Sequence, residues 1–209
     1  MNNLVIYGCG GAAIEFLSLY NNLKLKKFKN IIFIDDKKKG KFLNHQIYNL
    51  NNFEKKFINQ NNSFLISIAK PEIRKIIYNK INDKKFSFTK LVDETSLIRK
   101  TAKLSSGVII LCHCYISENV KISSNVLVNS KTLLGHDVSI GKHSTIYCGV
   151  NVLGGVKIGE NVEIGSGSSI YPNVKIGKNS KIMMGSCIYK NIPPNSLVAG
   201  NPARVIKKI

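Results

Sequence analysis

The sequence predicts two domains of different class. Residues 1–97 read as a small α/β domain with a parallel sheet. Residues 98–192 read as a parallel β-helix of six-residue repeats, and 193–209 as a tail that caps it. Three observations carry this. An aliphatic residue recurs at every sixth position from Ile98 to Ile188, sixteen times in phase. Short apolar runs alternate with helix-like segments in the first half. All nine phenylalanines lie before the repeat begins.

In chain order, Leu4–Tyr7 reads as a buried strand that runs into Gly8-Cys9-Gly10-Gly11. Ala12 to Leu23 follows as a helix, with Ile14, Leu17 and Phe16 expected inward. Ile31–Ile34 is a second strand, ended by Asp35-Asp36, and Phe64–Ile68 is a third. Pro71 opens a helix from Glu72 to Ile81, whose apolar stripe is Ile73, Ile76 and Ile77. Lys37–Lys41 and Asn59–Asn62 read as exposed loops.

The repeat fits neither the helical period of 3.6 nor a strand period of two. Each block supplies a short strand and a corner, and three blocks close one coil of eighteen residues. The aliphatic points inward, and a small or β-branched residue such as Val108, Val138 or Ser168 sits four positions later. Glycine often follows the aliphatic, as at Gly135, Gly141 and Gly159, where it is expected to relax the backbone near the turn. Coils stacked at ~4.8 Å give a prism roughly 25 Å tall.

Hydrophobic content is 44%, and no apolar run is long enough to span a membrane. The chain opens on a strand-like segment without a signal peptide pattern, so a cytoplasmic protein is expected. The five cysteines read as free thiols. Cys112-His113-Cys114 lacks a second ligand pair, so no metal is expected. The net charge of +19 suggests an anionic partner. Only Arg74, Arg99 and Arg204 are arginines, and the lysines read as scattered, so nucleic acid is not expected. A positive field would still attract anionic small molecules.

Two motifs carry chemistry. A strand, a glycine-rich turn and a helix N-terminus form a phosphate cradle. Asp35, 27 residues after Gly8, stands where such folds place a carboxylate on a ribose. Inside the repeat, Gly135-His136-Asp137 offers a histidine, the natural base at neutral pH, beside a carboxylate. Neighbours on a strand face opposite ways, so the pair cooperates only at a corner. His143 lies seven residues on, and His45 and His113 read as structural or surface residues.

GCGGA, IDD, GHD within the hexads and VAGNPARVI occur in that order, and the whole chain resembles the NeuD/PglD-type bacterial sugar acyltransferases. The resemblance implies a left-handed β-helix, a homotrimer, acetyl-coenzyme A as co-substrate and a nucleotide-linked amino sugar as acceptor. It implies that His136 takes a proton from the attacking group and that Asp137 raises its basicity. It places the nucleotide at Gly10, Gly11, Asp35 and Asp36, and Asn129 near the acceptor. Coenzyme A contacts would be mostly backbone, at Ser166 and Met184. Relatives often carry a second histidine near the acetyl group; here that position is Thr145, two residues after His143. N-acetylation of a 4-amino sugar by direct attack is the leading expectation. O-acetylation of a sugar such as a sialic acid, a route through Cys148, and a non-catalytic scaffold are the alternatives.

Overall fold

A computed structural model of the chain describes residues 2–209. The first domain is a twisted sheet of β1 (Asn2–Tyr7), β2 (Asn30–Ile34), β3 (Lys41–Phe42), β4 (His45–Tyr48), β5 (Asn61–Ile66) and β6 (Ser87–Phe88), in the order β3-β4-β2-β1-β5-β6. All pairings are parallel except the edge hairpin β3–β4. Helices α1 (Gly11–Asn22), α2 (Leu50–Phe57) and α3 (Pro71–Asp83) connect the strands. β1 is buried on both faces, which is why its apolar residues run on without alternation.

Two helix faces differ from the sequence reading. In α1 the buried residues are Ala13, Phe16, Leu19 and Tyr20, while Ile14 is exposed. In α3 the inward line is Arg74, Ile77 and Ile81, and Ile73 and Ile76 are exposed. A helix has one inward stripe: in α1 it follows Phe16, as expected, but leaves Ile14 outside, and in α3 it follows a charged arginine that the sequence did not favour.

The second domain is the three-faced prism the period demands. Every strand pairs in parallel with the strand eighteen residues on: Ile116 with Leu134, Leu134 with Val152, Val152 with Ile170. The first face runs from Leu91–Val92 to Lys181–Ile182, the second from Leu97–Ile98 to Cys187–Ile188, and the third from Lys103–Leu104 to Lys175–Ile176. The ladder thus begins at Leu91, one block before the strict aliphatic series, because Val92 is already in phase. The aliphatics and the small residues after them form one core, Val108 and Ile110 through Val198. Beyond the last coil, Ser196–Gly200 adds to the first face and Ala203–Lys208 folds back on it antiparallel, placing a basic strand over the open edge.

Each corner turns on one left-handed residue. From Gly107 to Gly185, every sixth residue has φ between 56° and 71°; five of these fourteen are asparagine and five glycine. Those residues tolerate this conformation best. The glycines after the aliphatics serve another purpose than the expected turn. A Cβ on Gly135 would stand 2.7 Å from the backbone N of Gly154, and one on Gly141 2.5 Å from the carbonyl carbon of Gly159. They let coils approach; the turning is done two residues later.

The α/β domain sits on the first face. Leu4, Phe16 and Tyr20 share a core with Leu91, Ile109, Leu111 and Leu127 of the prism. Arg74 pins the contact. Its buried guanidinium donates to five carbonyls: Ile68, Ala69, Asn125, His143 and Ser144. Burial lowers its pKa to about 10, still cationic at neutral pH. Lys181 adds an ion pair to Glu72, 2.8 Å away, at the margin. Arg74→Met keeps much of the bulk and removes every donor. It is expected to cost about 3–5 kcal/mol in urea unfolding; a loss below about 1 kcal/mol would show that the carbonyls are satisfied without it.

Candidate active site

His136 and Asp137 lie at the corner between the second and third faces, both exposed. Asp137 is the left-handed residue of that corner, φ 60°. This turn lets neighbouring side chains meet, where a strand would separate them. His136 Nδ1 is 2.8 Å from Asp137 Oδ2. Asn119, one coil earlier, donates to Asp137 Oδ1 at 3.1 Å. The hydrogen bond from His136, then that from Asn119, hold the Asp137 carboxyl below its usual pKa. The carboxylate therefore favours the tautomer that leaves Nε2 free to accept a proton.

The next coil leaves room for the ring. Gly154 stacks under His136, and a Cβ there would stand 2.5 Å from Nε2 and 2.7 Å from Cε1. Gly155 N–H donates to the His136 carbonyl at 2.8 Å. The coil beneath thus fixes the backbone of His136 and leaves its ring space, while Asp137 orients the ring.

The cradle forms at the C-terminal end of β1. Gly8 has φ 106°, and a Cβ there would meet Ser67 Oγ at 2.8 Å. Gly10 caps α1 with no side-chain hydrogen bond, and a Cβ on Gly10 or Gly11 would meet nothing within 4 Å. That leaves uncapped N–H groups facing open space, an arrangement suited to an anion. Asp35 is more engaged than a free ribose ligand. Oδ2 accepts from Cys9 N and Oδ1 from Lys37 N and Lys38 N. Burial opposes its charge, but these three donors and Lys38 keep its pKa low. Its structural work is to hold the glycine turn. Asp36 accepts from Tyr7 Oη at 2.6 Å and Leu50 N at 3.1 Å, and lines a cavity of about 580 Å³ with Asn49, Lys80 and Lys84. Lys38, read as loop punctuation, lies at the turn itself, its Nζ 2.6 Å from the Cys9 carbonyl. No local pattern in the sequence distinguishes it from Lys37 or Lys39.

The remaining candidates stand elsewhere on the prism. Asn129 lies at the corner between the first and second faces, and Ser166 and the exposed Met184 fall in one column of that corner with Ser130 and Cys148. Cys148 is exposed there, a corner away from His136. Thr145 does not face a coenzyme: it is fully buried, and its hydroxyl donates to the Ala69 carbonyl at 2.7 Å, between the domains. The outward position of the first face is covered at that level by the α/β domain. His143 is likewise buried, its Nδ1 2.8 Å from Asn125 Nδ2 and its ring edge-on to Tyr78. Cys114 is in the core, and Cys112 Sγ contacts Ser130 Oγ.

Comparison with known proteins bears on both domains. The family model described as PglD N-terminal domain matches residues 3–81. That described as bacterial transferase hexapeptide (six repeats) matches 137–172 and 155–190. No curated protein matches the sequence. Among solved structures, the acetyltransferase domain of PglB from Neisseria gonorrhoeae FA1090, in complex with acetyl coenzyme A, is 22% identical with a TM-score of 0.90, covering 99% of this chain and 100% of that one. A mutant of perosamine N-acetyltransferase from Caulobacter crescentus, in complex with CoA and GDP-perosamine, is 20% identical with a TM-score of 0.91, over 100% and 98% of the two chains. WeeI from Acinetobacter baumannii AYE is 23% identical with a TM-score of 0.88, over 99% and 100%. The shared architecture is an α/β domain followed by a left-handed β-helix.

The burial of His143 has a pH signature. Burial, then Lys75, Arg74 and Lys142, depress its pKa from 6.5 to about 4. The folded state stays neutral while the unfolded chain takes up a proton, so stability falls as pH drops below 6.5 toward 4. Between pH 7 and 5 the loss is expected to be about 2 kcal/mol. His143→Asn, whose amide suits the left-handed corner but does not titrate, should lose less over that range in urea unfolding; an unchanged pH dependence would contradict this assignment.

Proposed function

We propose that this chain, a PglD-type N-terminal domain joined to a bacterial transferase hexapeptide-repeat domain, is an acetyltransferase. It moves the acetyl group of acetyl-coenzyme A to an amino group, at C4 in the leading case, of a nucleotide-linked sugar. The observation that carries this reading is the His136–Asp137 pair, held at 2.8 Å on a corner of the prism, in a chain that also presents an anion cradle. The reaction belongs in the cytoplasm, where both co-substrates are made.

The chemistry needs few parts. A protonated amine cannot attack a thioester. The neutral amine attacks with its lone pair, His136 Nε2 takes one of its protons as nitrogen bonds to the acetyl carbon, and Asp137, already anionic, stabilises the imidazolium. The tetrahedral oxyanion collapses with loss of the coenzyme thiolate, which takes the proton from the His136 imidazolium and restores the base. Holding the two co-substrates together supplies much of the remaining rate. No covalent acyl-enzyme is needed, and among the described residues Cys148 has no partner histidine at its corner.

One chain does not bring these parts together. Cys9 and Ala13 of the cradle pack with Leu111 and Leu127 on the first face. His136 is at the corner opposite that face. Asn129, Ser166 and Met184 are at the corner nearer the cradle. A second copy, packed so that its His136 corner meets this edge, completes the site. The second face suits such packing. Its outward residues are Leu97, Tyr115, Leu133, Asn151, Ser169 and Cys187, without a charge. Exposed Leu153, Tyr171 and Tyr189 flank it on one edge, and Met183 and Met184 on the other. Three copies with these faces turned inward form a closed cyclic trimer with three sites.

Thiol release from acetyl-coenzyme A with UDP-, GDP- and dTDP-linked amino sugars, beside free and CMP-linked sialic acids, tests the reaction. Turnover with one of them is expected; turnover only with a sialic acid would assign O-acetylation instead. His136→Ala should lower kcat about a hundredfold or more, and a near-normal rate would remove the assigned role. Gly154→Ala adds a methyl group where the imidazole lies, on a backbone without a left-handed φ. It should lower kcat about tenfold or more while leaving the unfolding midpoint close to the parent's. An unchanged rate would mean that the ring works from another position.

A further inference from the structure

The outward positions of the third face are Lys103, Lys121, Ser139, Lys157 and Lys175, paired coil to coil in perfect register. All four lysines are exposed, and none forms an ion pair among the described residues. Like charges on adjacent strands, ~4.8 Å apart, repel. The column therefore costs stability unless an anion lies on it. Ser139 breaks the run and makes a notch. Lys121 and Lys157 stand above and below it, their Cα atoms ~9.6 Å apart by the strand spacing, a gap that two lysine side chains close around one phosphate. The notch belongs to a cavity of about 540 Å³ whose lining includes Lys103, Lys121, Ser139, Lys157, Asn119 and Asp137. Asp137 is the one carboxylate there, and its oxygens already accept from His136 and Asn119. Ser139 follows His136 by three residues in the same coil, so the notch is at most ~10 Å of chain from the base.

We propose that Lys121, Ser139 and Lys157 form a phosphate subsite for the anionic co-substrate whose reacting end lies at His136. The inference rests on the acetyltransferase reading. Reach favours the nucleotide sugar as the source. One pyranose ring separates the C4 amine from the first phosphate, whereas the whole pantetheine arm separates the coenzyme's thioester from its first phosphate. With the base at one end of the sugar and the notch at the other, the acceptor is fixed at two points on one copy. The anion cradle of the neighbouring copy then receives the second phosphate, with the nucleoside beyond it.

The test is titration calorimetry on the full-length protein with UDP, GDP, dTDP and coenzyme A as separate probes, at low and high salt. It compares the parent, the Lys121→Gln/Lys157→Gln double variant, and Lys175→Gln as a control on the same face. These side chains are exposed and repel their neighbours, so the variants should melt at or slightly above the parent's temperature. The double variant is expected to weaken one nucleoside diphosphate by roughly tenfold or more, with a shallower salt dependence. Coenzyme A, and every probe with Lys175→Gln, should change by less than about twofold. Weakening of coenzyme A alone would assign the subsite to the coenzyme's phosphates. Parent and double variant binding all probes equally would overturn the subsite and leave the acetyltransferase reading standing. A parent protein that binds none of the probes would overturn both.

Discussion

Eighteen residues per coil is the constraint on which the rest of this structure depends. The aliphatic side chains fill the prism only if each strand sits in register with the strand eighteen residues away, and the left-handed corner every sixth residue closes that circuit. Register then fixes what lies above what. Glu118, His136 and Gly154 share a column, so the base rests on the one side chain that leaves it space. Lys103, Lys121, Lys157 and Lys175 share another, with Ser139 between. A one-residue insertion would break every column beyond it. The catalytic pair also depends on a corner: the same two residues on a strand would face opposite ways.

Much of this was legible in the sequence because the period is strict. The sixteen in-phase aliphatics gave the prism its core, and the ordered motifs gave the family resemblance, which both family models bear out. The α/β class followed from strands alternating with helices. What was not legible depended on which neighbour each residue meets. Ile14, Ile73 and Ile76 looked inward by hydropathy but are exposed, and the inward stripe of α3 runs through Arg74 instead. Thr145 matched a position near an acetyl group, but here the other domain covers it. The glycines after the aliphatics looked like turn residues, and only the stacked coils show that they relieve contact. The lysines looked scattered until spaced by eighteen.

Arg74 joins the two domains by a means composition could not suggest. A buried guanidinium, without a carboxylate partner among the described residues, is held by carbonyls from the third strand-to-helix loop and from two successive corners of the prism. This fixes the cradle against the first face, away from His136. The geometry inside one chain is therefore a rigid separation of the two halves of a site. An uncharged second face, edged by exposed tyrosines and methionines, supplies the surface on which copies can join those halves.

The central claim is that one copy's cradle works with another copy's His136, and mixed assemblies test it most directly. Gly11→Glu adds a carboxylate at the cradle, from a position where a Cβ meets nothing within 4 Å, and His136→Ala removes the base. Each variant alone should be nearly inactive. Co-expressed in equal amounts and purified as mixed trimers, they should regain about a third of the parent activity, since one junction of the three in each mixed trimer pairs an intact cradle with an intact histidine. Mixed trimers no more active than the separate variants would place the whole site within one chain and contradict this account.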